Sequence, residues 1–292
     1  MKYRPIPPLL LVRRWLRSVE NNGCRGAVAR SYNRLLRSLK NHGARGTFER
    51  AFLKAPVAPP PIQIPPRPHP FDLLHGTDTG GCISTTNLAA AALSTIYSSG
   101  YLGIPASTLQ PALAALPIKH QDFSFIDLGC GKGRALLVAA QFPFRRLFGV
   151  EITDELCDVA RANVALNPAW RNRISIVNQD ATTYVYPDGP LVLYLYYPFL
   201  VPVLRRVLSN LVRQLRRSRR PAYLLQADLC ANGTDCKKFY TGNPRYQKLM
   251  KSFPFIQLSD TVYPLSAEEA AAEPSGCTAN SSYTLYSVEI TR

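Results

Sequence analysis

Glycine occupies every second position in the stretch "DLGCGKGR", residues 127–134, where Gly129, Gly131 and Gly133 follow closely on Asp127. Glycine in such a turn permits a tight reversal and lets a ligand approach the backbone, beside the N–H groups that open a helix. Twenty residues beyond Gly131, Glu151 stands in "GVEI". A carboxylate so placed can accept both hydroxyls of a ribose. Further on, "NQDA" carries Asp180, suited to accept a hydrogen bond from an adenine amino group. Taken singly, each acid also fits a helix cap or a surface carboxylate, and the glycines fit a tight turn without a ligand. Taken in this order they describe an adenosine pocket. Phosphate is not part of it, because GxGxG differs from the GxGxxG of dinucleotide binders and no GxxxxGK[ST] loop is present.

These residues need strand ends to hold them, and the sequence supplies strands. Short β-like runs alternate with helical runs: "FSFIDL", then "GRALLVAAQF", "RLFGVEI", "DELCDVARANVAL", "RISIVNQDA", "LVLYLYY", a helix over 200–217, and "AYLLQADL". This alternation predicts an α/β domain with a largely parallel sheet. In the long helix Leu204, Val207, Leu208, Leu211, Val212 and Leu215 recur at helical spacing, and Arg205, Arg206, Arg213, Arg216 and Arg217 fall on the other side. Two later runs, "FIQLSDTVYPL" and "SSYTLYSVEI", predict neighbouring strands joined by an exposed loop over the acidic stretch 266–281.

Ahead of this domain, residues 1–54 hold 13 Lys and Arg against Glu20 and Glu49, so much of the chain's net charge of +16 lies there. The same segment repeats itself with an offset of 20: residues 14–32 align with 34–52, matching Arg17/Arg37, Gly23/Gly43, Arg25/Arg45 and Gly26/Gly46. Two copies of a short basic helix ended by Asn-x-Gly are predicted. Such an arm fits a solvated face, a site for nucleic acid or an acidic partner, or a transit segment. Residues 55–71, "APVAPPPIQIPPRPHPF", form a Pro-rich connector that sustains neither a helix nor a central strand. The domain boundaries therefore read 1–54, 55–71 and 72–292.

An apolar content of 46% is ordinary for a folded protein, and the seven cysteines and four histidines show no metal-ligand spacing, so no metal is expected. They show no disulfide framework either, which points to a reducing, intracellular compartment, the cytoplasm first, with mitochondrion or nucleus as alternatives. No apolar run reaches the roughly 18 residues of a membrane span.

The four segments "DLGCGKGR", "GVEI", "NQDA" and "LYYPF" together resemble the first four motifs of class I S-adenosylmethionine-dependent methyltransferases. The resemblance implies a seven-stranded, mostly parallel Rossmann-like sheet with helices on both faces, its last strand inserted antiparallel. It implies S-adenosyl-L-methionine as cofactor: Asp127, Gly129, Gly131 and Gly133 at the methionine end, Glu151 at the ribose and Asp180 at the adenine. A narrower likeness rests on "FDLLHGTDTGG", residues 71–81. It is similar to the cofactor-covering loop of histone-lysine methyltransferases of the disruptor-of-telomeric-silencing type, and to a Gly-x-Asp-Thr-x-Gly element of uncharacterised bacterial methyltransferases. That likeness implies cofactor contacts from Asp78 and Thr79; an Asp/Thr/Gly-rich turn without a ligand is the alternative.

Many amino-methylating relatives carry Asn or Asp before Pro-Pro-aromatic at the end of the fourth strand. The residue aligned with it here is read as Tyr197, followed by Pro198 and Phe199. A phenol cannot reproduce an amide carbonyl, but it can wall an acceptor site by cation–π attraction or hydrogen bonding, so Tyr197 and Phe199 are the candidate catalytic residues. The expected acceptor is a protein side chain such as lysine. RNA, a small molecule, or a non-catalytic protein that binds nucleic acid through its basic arm are the alternatives.

Overall fold

A computed structural model of the protein describes residues 3–4, 55–56, 69–83, 101–230, 242–272 and 280–290. The chain divides into two compact units, Met1–Pro65 and Pro66–Arg292. In the first, Tyr3–Arg4 pairs antiparallel with Ala55–Pro56. The repeated basic helices expected over 14–52, and most of the Pro-rich connector, lie outside the described residues.

The second unit is built on seven strands: β1 (Ser124–Leu128), β2 (Arg146–Glu151), β3 (Ile174–Asn178), β4 (Leu191–Tyr196), β5 (Ala222–Cys230), β6 (Phe255–Tyr263) and β7 (Asn280–Val288). They lie in the order β6-β7-β5-β4-β1-β2-β3. Neighbours from β5 through β3 pair in parallel, and β7 runs antiparallel to both β5 and β6. The fold is thus the mostly parallel, seven-stranded Rossmann-like methyltransferase sheet, with its seventh strand reversed. From β1 the chain steps outward through β2 and β3, then returns to β4 on the other side of β1. The carboxyl ends of β1 and β4 are therefore the switch point at which open α/β sheets bind ligands.

Both faces of the sheet are covered, so β1 (SFIDL) is buried along its whole length and β4 (LVLYLY) along all but its last residue. Period-two alternation divides them between two cores. Phe125, Val192 and Tyr194 pack with Leu109 and Leu113 of helix α1 (Ala106–Ala114) and Leu136 and Leu137 of α2 (Arg134–Ala139). Ile126, Leu193 and Leu195 face the other way, against Leu204, Leu208, Leu211 and Leu215 of α4 (Val201–Ser218). Helix α3 (Asp154–Ala165) follows β2. The α4 stripe is the one legible in the sequence: its leucines are buried and Arg205, Arg206, Arg213, Arg216 and Arg217 are exposed. Helix α4 closes at Arg219, which takes a left-handed φ of 48° and donates its N–H to the Leu215 carbonyl.

The connection between β6 and β7 departs from the expected exposed loop. It contains α6 (Ala267–Ala272), after α5 (Pro244–Met250), and Glu269 on α6 is 4% exposed. Its carboxylate accepts the N–H groups of Ala106 and Ser107, at 2.8 and 3.2 Å, and the Ser107 hydroxyl. The N-cap of α1 is Pro105, which offers no side-chain acceptor, so Glu269 supplies it from 163 residues away. Local sequence cannot show such a cap, and an acidic run reads as solvated until its partner is known.

Candidate active site

The glycine loop joins β1 to α2. Gly129, Gly131 and Gly133 take φ of 83°, 52° and 89°, the left-handed region that disfavours any side chain. Space enforces the choice at two of them. A Cβ on Gly129 would come within 2.6 Å of the Pro198 side chain, and one on Gly131 within 2.3 Å of the Tyr101 ring. The loop is tied to the neighbouring strand by the Gly129 and Cys130 N–H groups, both donating to the Val150 carbonyl at 2.7 and 3.2 Å.

Glu151, the last residue of β2, is 8% exposed and binds this loop directly. One carboxylate oxygen accepts the Gly131 N–H at 3.1 Å; the other accepts the Ile152 and Thr153 N–H groups, each at 2.9 Å. Asp127 on β1 lies nearby, 3% exposed. Burial, and then the charge of Glu151, push its carboxyl up to about 8. Asp180, beyond β3, accepts the Thr182 N–H at 2.8 Å and so caps the short turn Ala181–Thr183. The cap reading of Asp180 is thus realised, while the residue also faces the site.

A cleft partly open to solvent collects these groups. Of the residues singled out from sequence, Asp127, Gly129, Gly131, Glu151, Asp180 and Phe199 line it. Asp78, Thr79, Gly133 and Tyr197 do not. Gly133 is the N-cap of α2, close to Ala160 of α3.

Thr79 is fully buried in a hydrogen-bond hub. Asp72 accepts its N–H at 2.9 Å and its hydroxyl, the Tyr101 hydroxyl donates to its carbonyl, and Arg134 donates Nε–H to its Oγ1 at 2.8 Å and Nη2–H to its carbonyl at 2.7 Å. Asp78 points outward to an ion pair with Lys132 at 2.6 Å, while its backbone exchanges two 2.8 Å bonds with the Asn163 side chain of α3. Residues 76–81 are therefore clamped beside the glycine loop rather than facing the cleft. His69, beside Arg134, is held neutral: burial, and next the Arg134 charge, lower it to about 4.

At the end of β4 the outcome also differs from expectation. Tyr197 has a left-handed φ of 48° and packs partly buried against the α4-side core. Tyr196, one residue earlier, lines the cleft with Tyr194, Pro198 and Phe199. Laying Tyr196-Tyr197-Pro198-Phe199 over Asn-Pro-Pro-aromatic puts Tyr196 at the first position, the signal from which it was recoverable. Arg134 and Tyr101 line the cleft as well. Arg134, directly after Gly133, reads as an ordinary exposed first-turn arginine and is instead 2% exposed; Tyr101 sits in no recognisable motif.

The donor set fits a cationic nucleoside. Two buried carboxylates share one cleft, the glycine loop bars side chains from its floor, and the acid at the end of β2 stands where a ribose acceptor belongs.

Comparison with known proteins agrees on the class. Residues 125–221 match the family model of a methyltransferase domain. The tRNA1(Val) (adenine(37)-N6)-methyltransferase of Aliivibrio salmonicida is 33% identical over 86 residues, which is 29% of this chain and 36% of that protein. A protein-lysine N-methyltransferase of Saccharolobus islandicus is 36% identical over 78 residues, 26% of this chain and 47% of its own. The chain thus spans less than half the length of either relative. Residues 125–221 thus match a methyltransferase domain, and the strand order is that of the class I methyltransferase fold, whose methyl donor is S-adenosyl-L-methionine.

Proposed function

We propose that the protein transfers a methyl group from S-adenosyl-L-methionine to an acceptor nitrogen seated against Tyr196 and Phe199. The observation that carries this reading is the convergence of Asp127, the glycine loop, Glu151, Asp180 and Phe199 on one cleft at the switch point of the sheet. When bound, the cofactor supplies a methyl already activated by its sulfonium, so the protein's task is placement rather than covalent catalysis. Glu151 is the ribose acceptor, Asp180 the residue beside the adenine, and the glycine loop the floor under the methionine part. Glu151, joined by Asp127 once a bound cation favours its ionised form, makes the cleft favour positive charge.

On the acceptor side the missing Asn or Asp is replaced by an aromatic wall. The Tyr196 and Phe199 rings can stack on a base or lie against a lysine side chain, orienting its nitrogen and excluding water. The activities of the two relatives, on an adenine N6 and on a protein lysine, are both methylations of nitrogen and support this chemistry. The likeness to the disruptor-of-telomeric-silencing type rests on residues 71–81 alone. Within the present reading Asp78 and Thr79 are positioning residues: they fasten the segment to Lys132, Asn163 and Arg134 and so keep Tyr101 over Gly131.

The test is methyl transfer from labelled S-adenosyl-L-methionine to total RNA and total protein, kept as separate fractions. Label should enter one macromolecular fraction with the wild-type chain and fall to background with Gly131→Val, which cannot seat a side chain beneath Tyr101. A wild-type chain that binds no cofactor and labels nothing would overturn the reading.

A further inference from the structure

Two neighbouring helices on the α4 side of the sheet carry positive charge without acids. Over the 18 residues of α4, Arg205, Arg206, Arg213, Arg216 and Arg217 are all exposed, and the helix contains no Asp or Glu. None of the five forms an ion pair among the described residues; Arg213 instead donates to the Asn210 side-chain oxygen at 2.7 Å. Helix α5, packed against α4, is equally free of acids and adds exposed Lys248, with Lys251 directly after it. The surface of this protein is not built so everywhere. On α3 both signs occur, Asp154, Glu155 and Asp158 with Arg161, and Arg161 pairs with Asp158 at 3.0 Å. Crowding like charges on one face costs stability and gives the fold nothing in return.

The geometry points to a docking face for the phosphate backbone of a nucleic acid on α4 and α5. At 3.6 residues per turn Arg206, Arg213 and Arg217 fall on one line down the helix, spanning about 16 Å. Guanidinium groups bind phosphate by paired hydrogen bonds, which lysine cannot match. Beside them runs a groove lined by Arg213, Arg216, Arg217, Ser252, Phe253 and Pro254. Phe253 is half-buried there and stacked on Phe255, with ring centroids 5.5 Å apart and an interplanar angle of 19°. Arginines flanking an aromatic surface suit a polynucleotide, whose bases stack while its phosphates pair. An acidic peptide would use the charge but not the ring. The face also begins at the cleft, since Phe199 lines the cleft and α4 starts at Val201. A strand bound along α4 is therefore led to the cleft mouth, which names the acceptor class as nucleic acid. In this the inference rests on the methyl-transfer reading above.

The experiment measures binding of a labelled RNA hairpin to the full-length chain by fluorescence anisotropy across a salt series, for wild type and for Arg206→Ala/Arg213→Ala/Arg217→Ala. The basic segment 1–54 is present in both, so its contribution cancels. The variant should bind at least about tenfold more weakly, with a salt slope shallower by about 0.7–0.9 for each phosphate no longer neutralised. Phe253→Ala should weaken binding while leaving the slope unchanged. Equal affinity and slope in wild type and triple variant would overturn the proposal, as would equal competition by polyglutamate of matched charge, which would assign the face to acidic proteins. Calorimetric titration of the same proteins with S-adenosyl-L-methionine separates the two readings. Cofactor binding retained alongside unchanged RNA affinity removes the docking face alone; loss of cofactor binding in the wild type removes the methyl-transfer reading.

Discussion

Asp127 is the residue whose environment departs furthest from the ordinary among the cleft acids. Its carboxyl titrates near 8 in the folded chain because it is buried beside Glu151, against about 3.9 when unfolded. Between those values the folded state keeps a proton that the unfolded state has released. The stability that depends on it is complete below about pH 4 and is lost as the pH rises toward 8. Asp127→Asn should therefore flatten the decline: the melting-temperature difference between pH 5 and pH 8.5 shrinks by several degrees relative to wild type, and an unchanged difference would refute the assignment. A cationic ligand beside Asp127 favours its ionised form, so cofactor affinity should rise from pH 6 to pH 8 in the wild type and lose that dependence in Asp127→Asn. At the acceptor end, Tyr196→Ala should lower kcat at least about tenfold. Tyr197→Phe should leave turnover intact, because that ring packs against the core outside the cleft.

At the scale of elements, what was legible in the sequence was whatever repeats locally. Strands covered on both faces announce themselves as apolar runs, the α4 stripe as a 3.6-residue period, and the glycine loop as three forced left-handed turns. The gathering of Asp127, Gly131 and Glu151 into one cleft was legible too, because they lie at or beside strand ends whose order is set by the βαβ pattern. What was not legible depends on partners far away in sequence. Arg134 is buried with Thr79 and the Ile104 carbonyl within its reach, and Glu269 is buried against the N–H groups that open α1, whose N-cap Pro105 offers no side-chain acceptor. The direction of Tyr197 followed from a left-handed backbone turn at a non-glycine residue, which no local preference announces. These long-range ties have measurable weight. Glu269→Ala leaves the first N–H groups of α1 without their acceptor and should cost at least about 1 kcal/mol in denaturant unfolding. Arg134→Met, which unties residues 76–81 from α2, should weaken cofactor binding without changing which acceptor is labelled.

For the molecule as a whole, every described residue of the cleft belongs to the unit Pro66–Arg292. No helix among the described residues is long and apolar enough to cross a membrane. In the proposed function, this unit binds S-adenosyl-L-methionine in the cleft between the glycine loop and the end of β2. Isothermal titration of the full-length chain with S-adenosyl-L-methionine, beside Glu151→Ala, tests it most directly. The wild type should show one site per chain, and Glu151→Ala should bind at least about tenfold more weakly, because a charge-assisted acceptor is lost. Absence of binding in the wild type, or equal affinity in the two proteins, would contradict it.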